Sequence, residues 1–208
     1  MDKTQLAIEV FNKCAVEYQE KFMDVGLYED TLKLFCGHLT QHAHVLELAC
    51  GPGNITKYLL TQRPDLKILG TDLAPNMVAL AQKNNPQATF KIMDCRDICK
   101  IGDKYDGIMC GFCLPYLSKE EAIKLLQGVA QALKPNGMLY ISTMEDDYNK
   151  SSLQTSSSGN QLYIHYHQAD YLTAALVENN FTISHIRHQG YPTDGGDTTD
   201  LIIIAQKQ

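Results

Sequence analysis

The sequence predicts an α/β fold, a mostly parallel sheet wrapped by helices on both faces. Three observations carry this expectation. Short apolar runs alternate with amphipathic stretches from residue 45 onward, and strands joined by helical crossovers build parallel sheets. The first run, Val45-Leu46-Glu47-Leu48-Ala49-Cys50, ends in Gly51-Pro52-Gly53, as a buried strand does when it enters a tight turn. The last two β runs, Phe181 to His188 and Leu201 to Ala205, have no helical stretch between them, so they form a closing hairpin that adds an antiparallel strand.

Each element follows from its local pattern. Ile8, Phe11, Ala15, Tyr18 and Phe22 recur at helical spacing, giving one amphipathic helix over 8–22 whose stripe is mostly core, with Tyr18 the exception. A second helix covers 28–39. Beyond the Gly-rich turn, Ile55, Tyr58, Leu59 and Leu60 mark a helix stopped near Pro64, Lys67 to Asp72 a strand, and Pro75 to Asn84 a helix stopped before Pro86. Ala88 to Asp94 is the third strand and Tyr105 to Cys113 the fourth. Ser118-Lys119-Glu120-Glu121 is a capping box that opens a helix with Ile123, Leu126, Ala130 and Leu133 inward. Lys134-Pro135-Asn136-Gly137 ends it, and Met138 to Thr143 is the fifth strand. Glu145 to Gln161 is polar and Ser-rich, which predicts a loop or partly ordered lid. A helix over 170–178 leads into the final hairpin, whose long tip spans 190–200.

Composition bounds the function. With 208 residues, a single domain is expected: a helical cap over 1–40, a ligand-binding core over 45–145, and a substrate-side loop, helix and hairpin over 146–208. The formal charge of −6, without a Lys/Arg block, lacks the basic footprint of a phosphate-backbone binder, so no nucleic-acid partner is expected. No apolar run approaches the ~18 residues that a bilayer span needs. Met1-Asp2-Lys3-Thr4-Gln5 opens onto an amphipathic pattern rather than a signal segment. A cytoplasmic protein, monomer or homodimer, is expected. Seven irregularly spaced cysteines predict reduced, mostly buried thiols.

A strand running into a Gly-rich turn and then a helix is how α/β sheets bind nucleotides, because glycine admits a ligand close to the backbone. Gly51 and Gly53 are the candidates. Asp72, at the end of the second strand, can accept both ribose hydroxyls of an adenosine. Asp94 ends the third strand on the same edge. A dinucleotide would place a pyrophosphate at the helix N-terminus and require a third glycine, where this chain has Thr56. The acids Glu47, Asp72 and Asp94 instead suit a cation without phosphate.

In these motifs the chain resembles the class I S-adenosylmethionine-dependent methyltransferases, and among them the small-molecule type similar to ubiquinone-biosynthesis methyltransferases. The resemblance rests on Val45 to Gly53, Gly70-Thr71-Asp72-Leu73-Ala74-Pro75-Asn76-Met77, Asp94-Cys95-Arg96-Asp97, Tyr105-Asp106-Gly107-Ile108 and Leu133-Lys134-Pro135-Asn136-Gly137-Met138, in that order. It implies a three-layer Rossmann-like methyltransferase fold, with a seven-stranded mostly parallel sheet and an antiparallel C-terminal strand. It also implies S-adenosylmethionine as cofactor and methyl transfer to a small-molecule acceptor. Glu47, Ala49, Cys50, Gly51 and Gly53 would form the turn beside the methionine moiety, Asp72 and Leu73 the ribose site, Met77 a flank of the adenine, and Asp94 and Cys95 its edge recognition. Cys110, Gly111 and Phe112 would face the methionine amine and methyl group, and Tyr18 would cover the cofactor. Ala49 stands where the family carries its first glycine. Alanine is at ease in ordinary strand torsions, so a small shift is expected there.

Other constellations weigh less. Cys110-Gly111-Phe112-Cys113 is a CxxC without a second pair, and reads as buried thiols rather than a redox or metal site. His42-Ala43-His44 reads as solvated residues before the first strand, and no metal ligand set is expected. His165 and His167 follow the Ser-rich loop and are candidates for a general base, against the alternative of surface or capping histidines. Tyr116, Glu145 and Asp146 follow strands four and five, as candidate substrate-wall residues, and Tyr116 is with the two histidines a candidate catalytic residue. Two other functions fit a nucleotide-binding turn: a non-catalytic S-adenosylmethionine-binding module, separable by turnover, and an NAD-dependent oxidoreductase, which Thr56 and the lack of a Tyr-x-x-x-Lys pair disfavour.

Overall fold

The structure is a computed structural model that describes residues 3–156, 159–193 and 196–208. Its main sheet has seven strands: β1 (His44–Leu48), β2 (Lys67–Asp72), β3 (Thr89–Ile92), β4 (Tyr105–Gly111), β5 (Leu133–Glu145), β8 (Phe181–Thr193) and β9 (Gly196–Lys207). Their spatial order is β3-β2-β1-β4-β5-β9-β8. The neighbours from β3 to β5 pair in parallel, and β9 runs antiparallel to both β5 and β8. Strand order reverses at β1 and β4, the position where open α/β sheets leave a crevice for ligands.

Alternation along the central strands divides the core. Leu46, Leu48, Ile108, Leu139, Ile141 and Leu201 pack on one face with α6 (Lys119–Ala132) and α7 (Ala169–Glu178). Val45, Met109, Tyr140, Ile202 and Ile204 pack on the other with α3 (Glu29–His38), α4 (Asn54–Gln62) and Ala81 of α5 (Pro75–Asn84). Both faces are therefore apolar, as a sheet covered twice requires. The capping box at Ser118 forms, with Ser118 Oγ accepting from the Glu121 amide at 3.2 Å and the Glu121 carboxylate accepting from the Ser118 amide at 2.8 Å.

The structure departs from sequence expectation at four places; one is β5, which begins at Leu133, so that Leu133 to Gly137, expected to close the preceding helix, belongs to the strand. The expected helix over 8–22 is two helices, α1 (Lys3–Lys13) and α2 (Ala15–Phe22), separated at Cys14, whose ψ of 18° leaves the helical range. The polar stretch expected as a loop holds a small hairpin of β6 (Ser152–Thr155) and β7 (Gln161–Ile164). Its strands form by mutual pairing and by docking on α1, not by an apolar period. The closing strands also run beyond their apolar segments, because β8 and β9 pair from Phe181↔Lys207 to Thr193↔Gly196. Residues 157–158 of the expected loop and 194–195 of the expected hairpin tip lie outside the described residues.

Candidate functional site

The loops that follow β1 to β4 surround a cleft, about 780 Å³ of space between atoms counting its mouth, within the ~300–1,000 Å³ typical of small-ligand sites. The turn after β1 makes its floor. Ala49, Gly51 and Gly53 have φ of 52°, 53° and 77°, so this short turn enters the left-handed region three times. The expectation of ordinary strand torsions at Ala49 is corrected here: its conformation costs an L-residue ~1–2 kcal/mol. The turn's partners explain why it persists. Asp72 accepts from the Gly51 amide at 2.9 Å and the Ala74 amide at 2.8 Å, which ties the ends of β1 and β2 through one carboxylate. Asn84 and Asn85 at the end of α5 donate to the carbonyls of Pro52 and Gly53. A Cβ on Gly53 would lie 2.4 Å from Asn85 Nδ2, so only glycine fits under that clamp.

Acids outnumber free cations around this floor. Glu47 is 1% exposed and accepts from Thr56 Oγ1; burial pushes its carboxyl up to about 8, helped by the nearby Asp72. Burial also raises Asp72, against the pull of its amide donors. Asp94 is held below its ordinary value: burial would raise it, but the Arg96 guanidinium at 2.5 Å outweighs that. Arg96 pairs with Glu121 at 2.9 Å as well, so the one basic residue lining the cleft among the described residues is already neutralised twice.

The opposite wall is aromatic. Phe11 on α1 meets Tyr18 and Tyr116 edge-on, at centroid distances of 5.7 and 5.0 Å. Phe112, also at a left-handed φ of 52°, receives two acceptors from Ser142 on its amide and packs on Tyr28 at 5.3 Å. Burial, then the Asp72 charge, pushes the Tyr18 phenol up to about 12. Burial raises Tyr116 further. Both are neutral hydrogen-bonding phenols at ordinary pH.

Of the residues singled out from sequence, Tyr18, Ala49, Gly51, Asp72, Leu73, Met77, Asp94, Cys95, Gly111, Phe112 and Tyr116 line the cleft. Glu47, Cys50, Gly53 and Cys110 lie beneath it. Cys50 and Cys110 are buried in the two core layers. Sequence reasoning missed Thr4, Ala7, Ile8, Phe11, Ala74, Met93, Arg96, Cys113 and Leu117, which also line it. Ile8 and Phe11 belong to the stripe assigned mainly to core; that stripe lines the cleft on both sides of the break at Cys14, with Phe11 packed against Ala15 and Tyr18. Arg96 was visible only as a neighbour of Asp94.

His165 and His167 are placed behind the wall, outside the cleft lining. His167 is 0% exposed, with Nε2 on the Leu114 carbonyl at 2.7 Å and Nδ1 on the Tyr171 hydroxyl. Both ring nitrogens are engaged, and burial lowers the ring to about 4, so it stays neutral and pins the short turn Leu114–Tyr116. His165 contacts the Tyr148 hydroxyl at 3.3 Å, and burial lowers it too. Glu145 receives the Ala169 amide and pairs with His188, and Asp146 pairs with Lys150; neither lines the cleft. Cys95 and Cys113 lie 3.4 Å apart, and their mutual contact together with burial holds the Cys95 thiol well up. Among the described residues no group of three or more His, Cys, Asp or Glu side chains is placed to hold a metal ion.

Residues 45–137 match the family model described as a methyltransferase domain. A putative methyltransferase of Invertebrate iridescent virus 6 is 31% identical over 97 residues, 47% of this chain and 36% of that protein. The trans-aconitate 2-methyltransferase of Variovorax paradoxus is 34% identical over 103 residues, 50% of this chain and 39% of that protein. The chain thus spans less than half the length of these curated relatives. Among solved structures, magnesium protoporphyrin IX methyltransferase from Synechocystis, with bound S-adenosylmethionine, superposes with a TM-score of 0.72 at 18% identity, covering 100% of this chain and 98% of that one. The 1,6-didemethyltoxoflavin-N1-methyltransferase of Burkholderia thailandensis gives 0.72 at 20% identity over 99% and 88%. At such identities these two likenesses concern the fold.

Proposed function

We propose that the chain is a class I S-adenosylmethionine-dependent methyltransferase, whose cleft binds S-adenosylmethionine and directs the methyl group to a small-molecule acceptor; the match of residues 45–137 to a methyltransferase domain supports this reading. The observation that carries this reading is the shared placement of the left-handed turn, Asp72 and Asp94 around one cleft. The residues present fit the cofactor. Asp72 offers a carboxylate at the end of β2 for a diol, and Gly51 leaves open the space that a Cβ would fill, 3.8 Å from the Tyr18 ring. A phosphate does not fit as well, since Thr56, in the first turn of the helix after the glycines, is buried and bonded to the carboxyl of Glu47.

When bound, S-adenosylmethionine would supply an electrophilic methyl group on its sulfonium for transfer to the acceptor, with S-adenosylhomocysteine as the leaving product. The chain's own share is alignment and exclusion of water. Gly51 and Leu73 bound the floor, Met77 and Cys95 one flank, and Phe112 and Tyr116 the wall toward the acceptor. Asp72 and Asp94 are committed to amide and guanidinium donors, and neutral Tyr116 takes up no proton, so a proton displaced from the acceptor passes to solvent. Residues 1–208 act in this reading as one unit, with the first helices as the cap.

Isothermal titration with S-adenosylmethionine, S-adenosylhomocysteine and NAD tests the proposal. Saturable binding of the first two without NAD binding is expected. NAD binding with no response to either sulfur ligand would overturn it.

A further inference from the structure

Two thiols meet in the wall of the cleft. Cys95 opens the short helix after β3 (Cys95–Lys100), and Cys113 precedes the turn Leu114–Tyr116 after β4. Both line the cleft, and their Sγ atoms lie 3.4 Å apart. The strands that carry them are not neighbours, since β2 and β1 stand between β3 and β4. The pair is therefore where the loop after β3 meets the loop after β4, past two intervening strands. It is also distinct from the CxxC of the sequence. Cys110, the other half of that motif, is 1% exposed, sits in the core layer and does not line the cleft.

We propose that Cys95 and Cys113 are a redox-modification site: a peroxide converts them to a reversible disulfide, and that bond weakens the hold of the cleft on S-adenosylmethionine. The second half rests on the cofactor reading above; the first does not. Cys113 is 2% exposed and packed in the core layer, whereas Cys95 is only half-buried, so Cys95 is the partner that moves. Its shift carries the adjoining Asp94, at the proposed adenine edge, toward the loop after β4. Displacing a positioning group by even a fraction of its contact distance is costly for a ligand held by fixed geometry. A ligand lying in the cleft in turn covers both thiols, so ligand and disulfide oppose each other, each by the same factor.

The step balances with hydrogen peroxide as oxidant. The Cys95 thiolate attacks one peroxide oxygen and the oxygen–oxygen bond breaks; the hydroxide that leaves takes up the proton lost from Cys95. The Cys113 sulfur then attacks the sulfenic sulfur of Cys95. The sulfur–oxygen bond breaks, and the second hydroxide leaves as water with the Cys113 proton. Two thiols and one peroxide thus become one disulfide and two waters, each sulfur giving up one electron. The Cys113 contact and burial hold the Cys95 thiol well up, which keeps it protonated and makes the attack slow, so sustained oxidant is needed. A bond open to the cleft stays within reach of a dithiol reductant.

The test exposes the full chain to millimolar hydrogen peroxide, blocks the remaining thiols and maps the peptides by mass spectrometry. S-adenosylhomocysteine affinity is titrated before oxidation, after it, and after dithiothreitol. A Cys95–Cys113 cross-link, at least about a tenfold loss of affinity and recovery with dithiothreitol are expected. Saturating S-adenosylhomocysteine during oxidation should suppress the cross-link. Cys95→Ser and Cys113→Ser, whatever their reduced affinity, should each hold the oxidised-to-reduced ratio within about twofold; if one fails to fold, the other decides. Cys99→Ser, at an exposed thiol outside the cleft lining, should keep the full response. Pairing of Cys113 with Cys110 or of Cys95 with Cys99, oxidation of Cys95 without a cross-link, or a cross-link that leaves affinity unchanged would overturn the inference. Failure of the reduced chain to bind S-adenosylhomocysteine would fall on the cofactor reading, and peptide mapping would still decide the bond.

Discussion

The two ends of the cleft are built by different means. The cofactor end is made by backbone at the tips of neighbouring parallel strands: the turn at 49–53, Asp72 bonded to two amides, and Asp94 in the first turn after β3. The wall proposed to face the acceptor is made by side chains that reach in from α1 and from the turn at Leu114–Tyr116. The first arrangement is fixed by sheet register and tolerates few residue types. The second depends on packing between segments far apart in the chain, and its chemistry changes with single side chains. In the proposed reading this contrast teaches where specificity can vary: the strand tips would set what is bound at the shared end, and the docked helix would set part of what is accepted.

The largest effect should come at the strand tips. Asp72→Ala removes the carboxylate that serves both the proposed ribose site and the Gly51 and Ala74 amides; S-adenosylhomocysteine affinity should fall at least about 100-fold, or ~2.7 kcal/mol, in a titration. A change under threefold would break the contrast. Next is the support behind the acceptor wall. His167→Ala leaves the Leu114 carbonyl and the Tyr171 hydroxyl without their partner, and should lower unfolding free energy by ~2–3 kcal/mol. The folded fraction should keep S-adenosylhomocysteine affinity within about threefold, since the damage lies at the other end.

A smaller effect is expected from Glu47. Its folded carboxyl titrates near 8, well above the ordinary value, so between those two values the unfolded chain binds fewer protons than the native one. Its contribution to stability is therefore present at acid pH and declines as pH rises from about 4.5 toward 8. Glu47→Gln should flatten that part of a melting-temperature profile. Parallel profiles for the two proteins would refute a protonated Glu47. The smallest is Ala49→Gly, which relieves a left-handed alanine and should stabilise by ~0.5–1 kcal/mol in denaturant melts, without changing cofactor affinity.

The same contrast explains what the sequence reveals. The strand-tip site is legible because each part carries a local signature: an apolar run, then glycines; an apolar run, then Asp72. Seven strands, their mostly parallel pairing and the single antiparallel β9 follow from the same alternation. The acceptor end carries no such signature. Phe11 has the spacing of a core residue, yet it packs with Ala74, Met77 and Tyr18 at the cleft. The hairpin of β6 and β7 lacks an apolar period because it forms on the outside of the sheet layers. His165 and His167 stand out by residue type, yet their partners, Tyr148, Leu114 and Tyr171, come from elements whose packing no spacing announces.

None of the residues of α1 is buried, although four of them line the cleft. Its fastenings to β7 and the residue before it lie near its ends: the Lys3 ammonium sits 3.3 Å from the centre of the Tyr163 ring, and Lys13 donates to the Asn160 side chain at 3.0 Å. A helix held by these polar fastenings, by Asn12 on Asn76 and by Phe11 packed with Ala74 and Met77 can be exchanged for another of different lining without opening the sheet core, provided those last contacts are kept. Recombination or directed evolution confined to residues 3–13 should therefore retarget the acceptor while the strand tips continue to hold the same cofactor.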